Sequence, residues 1–145
     1  MWRYWNGNDH FYTWNGGEIG TTQNGATGHH GYRCEGSLSN FLVNHEGGSV
    51  PVYRYYKGPG NDHFYTTNAG EIGTTQPGAM GHHGYRCEGV LGYCYPGPRP
   101  NTRPVFRYWN PRITDHFYTA NPHELGPAGA HGWLPEGVLC HVPNW

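Results

Sequence analysis

Short aromatic runs bounded by Gly, Asn or Pro punctuate this chain. Trp2-Arg3-Tyr4-Trp5 is followed by His10-Phe11-Tyr12-Thr13, and the same pairing returns twice more. Runs of this length and composition predict β-strands, because aromatic side chains fit a pleated, half-buried surface. The Gly-rich stretches Gly25–Gly31 and Gly78–Gly84 predict loops. Between strand and loop sits Asn15-Gly16-Gly17-Glu18, where Asn can cap a short helical turn and Glu can bond back to the cap amide. Pro122 at the first position of the third such turn fits the same reading. One unit therefore reads strand, strand, turn, loop, strand, strand. The fourth strands are placed at Leu38–Val43, Val90–Tyr95 and Val138–Val142, and the Pro-rich Tyr95–Pro104 joins units because Pro is excluded from central strands.

The unit occurs three times. Asp9-His10-Phe11-Tyr12-Thr13 matches Asp62-His63-Phe64-Tyr65-Thr66 and Asp115-His116-Phe117-Tyr118-Thr119. Gly31-Tyr32-Arg33-Cys34-Glu35-Gly36 matches Gly84-Tyr85-Arg86-Cys87-Glu88-Gly89 and, with changes, Gly132-Trp133-Leu134-Pro135-Glu136-Gly137. The third copy has lost five residues from its middle loop. A unit of this size cannot bury its own apolar face, so three of them predict one closed domain over residues 1–145, with repeats 1–50, 51–103 and 104–145. Four strands per unit predict an all-β fold, a β-trefoil of twelve strands with pseudo-threefold symmetry. A three-bladed propeller is the geometric rival, disfavoured because propellers usually have more blades.

Composition sharpens this picture. The chain of 145 residues carries 12 Tyr, 6 Trp and 5 Phe, so rings must supply much of the core that aliphatic side chains usually provide. Phe11, Phe64, Phe117, Tyr4, Tyr55, Tyr108, Ile19, Ile72 and Leu125 are the expected core. A formal net charge of −1 lacks the electrostatic footprint of a nucleic-acid binder. No apolar run is long enough to span a membrane, so no membrane insertion is expected. The N-terminus lacks the apolar segment of a signal peptide, which suggests a soluble protein that is cytoplasmic or released by another route. Four cysteines allow three complete pairings or none, and without a signal reduced thiols are the expectation.

The run Tyr-Arg-Tyr-Tyr, then Asp-His-Phe-Tyr-Thr, then Tyr-Arg-Cys-Glu-Gly-Val resembles the uncharacterised His-Phe-Tyr-Thr / Glu-Gly-Val repeats (DUF5648-like repeats) over essentially the whole chain. Such repeats occur beside secreted hydrolases, and the resemblance therefore implies an accessory binding role, with carbohydrate as its ligand class. Asp precedes His in every copy here, and Leu134-Pro135 departs from the pattern.

Polar residues that repeat without an obvious folding need are candidate ligand groups. They are Asp9, Asp62 and Asp115; His10, His63 and His116; His30, His83 and His131; and Arg3, Arg54 and Arg107. Sugars need planar hydrogen-bonding groups for their hydroxyls and a ring for their C–H face. Trp5, Tyr56 and Trp109, opposite Tyr4, Tyr55 and Tyr108 on the pleat, are the expected stacking rings. The residues thus suggest a lectin-like module with up to three equivalent sites for glycans or glycoconjugates, with galactose-type sugars first because an axial hydroxyl leaves a continuous apolar face. Three weak sites on one body would give avidity.

Competing uses of the same residues stay open. A symmetric fold can need one buried hydrogen bond three times, so Asp-His can be structural. Arg3, Arg54 and Arg107 can pair with Glu35, Glu88 and Glu136, and Glu18, Glu71 and Glu124 can serve the caps. A metal site built on the Asp-His pairs is disfavoured because adjacent strand residues point to opposite faces. No nucleophile motif or phosphate loop is present, so neither enzyme activity nor a cofactor is expected. A protein-interaction module, marked by an apolar patch lacking threefold equivalents, is the other alternative. A homodimer is compatible with the sequence.

Overall fold

The computed structural model describes residues 1–58 and 61–144. It is all-β, with nine strands in three three-stranded antiparallel sheets. The first sheet holds β1 (Trp2–Trp5), β2 (His10–Thr13) and β3 (Arg33–Ser37). The second holds β4 (Val50–Lys57), β5 (Asp62–Thr66) and β6 (Arg86–Cys94). The third holds β7 (Thr102–Asn110), β8 (Asp115–Thr119) and β9 (Leu134–Pro143). The spatial orders are β2-β1-β3, β5-β4-β6 and β8-β7-β9.

Among the described residues nine strands stand where the twelve of a β-trefoil are expected, in three sheets that fit its threefold repetition. The expected third and fourth strands are one strand in the second and third repeats, β6 and β9. The Glu-Gly pair between them is a bulge. Gly36, Gly89 and Gly137 have φ of 98°, 99° and 97°, and the pairing register shifts beside each of them. Glycine tolerates that backbone, so one extra residue kinks the strand without ending it.

The inner strands β2, β5 and β8 are buried along their whole length. Their rings split by strand parity. Phe11 packs inside its own sheet with Tyr4, Ile19, Tyr32 and Cys34, and Phe64 does the same with Tyr55, Ile72, Tyr85 and Cys87. Tyr12, Tyr65 and Tyr118 face one another at edge-to-face distances of 5.3, 5.2 and 5.2 Å. Around them Val52, Val105, Val142 and Leu91 complete a shared core. Each tyrosine hydroxyl serves the backbone of the next inner strand. Tyr65 accepts the Tyr12 N–H at 2.7 Å, Tyr118 that of Tyr65 at 2.8 Å, and Tyr12 that of Tyr118 at 2.8 Å. Each hydroxyl donates to the carbonyl of the same residue whose N–H it accepts. Inner edges that would otherwise present unpaired backbone are thus closed by side chains.

The middle loops cover the outer edges in two repeats. Gly25 donates to the Cys34 carbonyl and Cys34 donates to Ala26, while Gly78, Cys87 and Ala79 repeat the arrangement. The third repeat lacks this loop segment, and Pro135 occupies the Cys34 position. Proline has no N–H to leave unpaired, so the shortened loop and the substitution compensate each other. Leu125, expected in the core, is only half-buried here.

The expectation of reduced thiols is corrected for two of the four cysteines. Cys94 and Cys140 form a disulfide between the second and third sheets. Cys34 and Cys87 are free and buried, each inside its own sheet's cluster.

Candidate functional site

The three Asp-His pairs work between repeats. Asp9 accepts the backbone N–H of His63 at 2.9 Å and lies 2.5 Å from its Nδ1. Asp62 meets His116 at 3.0 and 2.7 Å, and Asp115 meets His10 at 3.0 and 2.6 Å. The carboxylates are buried, with ligand atoms within 4.8 Å of one another, and are the one group of three metal-ligating side chains this close among the described residues. Their oxygens are engaged by backbone and imidazole groups, so Asp9, Asp62 and Asp115 face inward rather than toward a ligand.

The triad is not symmetric. Tyr32 donates its hydroxyl to Asp9 at 2.6 Å and Tyr85 to Asp62 at 2.5 Å. Burial, then the adjacent carboxylate, raises both phenols well above their usual range and keeps them donors. In the third repeat Trp133 replaces this tyrosine. Burial, with Asp9 and Asp62 close by, pushes Asp115 up to about 10. Burial, with Arg3 nearby, pushes His10 down to about 3. His116 is also opposed by burial, but Asp62 and Glu136 outweigh it and raise this imidazole.

A second ring of contacts surrounds the first. Arg54 grips Glu18 of the preceding repeat at 3.1 and 2.8 Å, donates from Nε to Glu88 at 2.8 Å, and lies over Phe11 at 4.8 Å. Arg3 does the same with Glu124, Glu35 and Phe117, and Arg107 with Glu71, Glu136 and Phe64. The pairing with Glu35, Glu88 and Glu136 matches the alternative read from sequence, whereas the bidentate partner across the seam does not follow from it. Glu18 accepts from the Thr13 hydroxyl at 2.6 Å, and Asn15 caps Gly17 at 3.0 Å. Burial would raise Glu18, but Arg54 and Thr13 outweigh it and hold it below the usual carboxylate range.

Candidate ligand groups come together at the seam of the first two repeats. A cleft of about 340 Å³ is lined by Asn6, His30, Tyr32, Tyr56, Asn61, His63 and Glu88. β4 supplies Tyr56, whose ring packs on His63 across the strand pair at 4.7 Å, and its hydroxyl donates to Asn61 at 3.0 Å. Trp5 and Trp109 pack likewise on His10 and His116, at 4.3 and 4.5 Å. The Nε2 of His63 lies 3.7 Å from Glu88, while Asp9 holds Nδ1 from behind. His30 is exposed with φ of 59°, and His83 and His131 repeat this at 61° and 56°. The loop is pinned by Gly28, where any Cβ would stand 2.1 Å from the Ile19 carbonyl. A left-handed histidine repeated three times is a strained choice of the kind that clusters at ligand sites.

The cleft therefore unites His30, Tyr56 and His63, with Asp9 and Arg54 behind or beside them. Asn6, Asn61 and Tyr32 line it without a sequence signal, since only folding brings their segments together. Glu88 was visible in sequence only as an arginine partner.

Residues 1–143 match a family model described as a domain of unknown function (DUF5648). The chain belongs to this family. No curated protein and no solved structure matches it significantly. The DUF5648 match spans all three repeats, so the seams between repeats lie within the family's domain. No helix among the described residues is long and apolar enough to cross a membrane.

Proposed function

We propose that this chain is a carbohydrate-binding module that takes glycans or glycoconjugates in the clefts between adjacent repeats. Its scaffold is three small three-stranded antiparallel sheets. The observation that carries the reading is the cleft joining Asn6, His30, Tyr56, Asn61, His63 and Glu88. Amide, imidazole and carboxylate groups suit paired hydroxyls, and the half-buried Tyr56 ring suits the C–H face of a sugar. Up to three such sites follow from the repetition, with galactose-type sugars first. No catalytic step and no cofactor are assigned. A glycan array followed by titration calorimetry tests this. Millimolar saccharide binding that is lost in Tyr56→Ala and His30→Ala is the expected result, and a folded protein binding no glycan overturns it.

A second reading, a protein-interaction surface, draws on one observation. The third repeat has a groove of about 420 Å³ lined by Phe106, Tyr108, Pro127, Pro135 and Val138, where its middle loop is shortened. Glycan binding unaffected by Val138→Ser, with a protein ligand lost in that variant, would favour it.

A further inference from the structure

The cleft between the first two repeats does not end at His63. A second cavity of about 190 Å³ shares His30, Tyr32, His63 and Glu88 with it. A third, of about 130 Å³, shares Glu18, Arg54 and Glu88 with the second and ends at Trp14. The three cavities adjoin one another along the seam. Its length can be read along β6. Arg86 lies opposite Tyr56 at one end, and Leu91 lines the other. Five residues of strand span about 16 Å.

Trp14 is 52% exposed, although a large indole is normally covered. Its counterparts are Thr67 and Ala120, so the ring occurs in one repeat only. Between the two ends, the Arg54 guanidinium is paired with both the Glu18 and the Glu88 carboxylates, so the strip has an excess of acceptors that would repel an anionic ligand. Such a strip can exchange hydrogen bonds with neutral hydroxyls without demanding a charged ligand.

Resting on the carbohydrate reading above, we infer that this seam is an extended subsite for a linear, neutral oligosaccharide of several sugar units. Tyr56 receives one end, Arg54 and Glu88 take hydroxyls midway, and Trp14 stacks on a distal ring. The indole at position 14 thereby sets this seam apart from the other two. The three repeats then present one long site and two short ones.

Calorimetry on the full chain tests this, using homo-oligomers of galactose, glucose and N-acetylglucosamine from one to four units. Affinity is expected to rise about tenfold or more from one unit to three, worth about 1.4 kcal/mol. In Trp14→Ala the ratio of trimer to monomer affinity should fall to about one, and Trp14→Phe should retain most of it. An unchanged melting temperature shows that the exposed site, not the fold, was altered. Equal affinity for monomer and trimer, or a trimer gain that survives Trp14→Ala, overturns the extended subsite while leaving the cleft reading intact. Absence of binding across the series overturns both.

Discussion

Tyr32 donates its hydroxyl to the buried Asp9 at 2.6 Å. The second repeat reproduces this bond with Tyr85 and Asp62, but the third carries Trp133, whose indole brings no hydroxyl to Asp115. Three carboxylates share one buried spot, and burial with Asp9 and Asp62 close by raises Asp115 far above the usual carboxyl range, which favours its neutral form. Asp115→Asn should therefore be tolerated within about 1 kcal/mol, because an amide reproduces a neutral acid. Asp9→Asn and Asp62→Asn should each cost about 2 kcal/mol or more, since the new amide nitrogen opposes a tyrosine donor. Denaturant midpoints of the three variants check this, and equal losses would contradict it.

The same asymmetry sets a pH dependence. A carboxyl raised in the folded state contributes its stability in full below the ordinary carboxyl range and loses it as pH climbs toward 10. The depressed Glu18, Glu71, Glu124 and Glu136 act oppositely, losing their contribution as pH falls below the ordinary carboxylate range. Melting temperature should thus peak on the mildly acid side. Trp133→Tyr, which supplies the missing donor, should flatten the decline between pH 6 and about 9.

Removal of one axial hydroxyl leaves a buried N–H without a partner. Tyr12→Phe strips the acceptor from the Tyr118 N–H and the donor from its carbonyl. Each single Tyr→Phe change at 12, 65 or 118 should cost about 1–3 kcal/mol by chemical denaturation. The triple change should abolish folding, since all three inner edges would be open.

The Cys94–Cys140 bond closes a separation of 46 residues between two sheets. Loop-closure entropy puts its contribution at up to about 4 kcal/mol, so Cys94→Ser with Cys140→Ser should lower stability by about 2–4 kcal/mol. Thiol titration should find two free thiols, Cys34 and Cys87, reacting only after denaturation because both are buried.

Much of this architecture is legible along the chain. His10-Phe11-Tyr12-Thr13 and its copies announce inner strands, and Arg54 with Glu88 announces an ion pair, because each signal is local or repeated in one register. The bulge at Glu88-Gly89 is not legible in the sequence, because a left-handed glycine serves turns and bulges alike; only the pairing of β4 with β6 distinguishes them. Trp14 is hidden for the opposite reason. It does not repeat, and a search for triplicated residues passes over it.

The sequence by itself determined the threefold repetition, the all-β class and the ring-rich core, since these depend on spacing and composition. Tertiary structure decided what the repeated polar residues do. Asp9 reaches His63, Arg54 reaches Glu18, and Tyr12 reaches Tyr118 across seams between repeats. Repetition cannot tell a contact within a unit from the same contact passed to the next one. Ring closure makes that choice, because three units with buried inner edges can satisfy their backbone and carboxylates only through their neighbours.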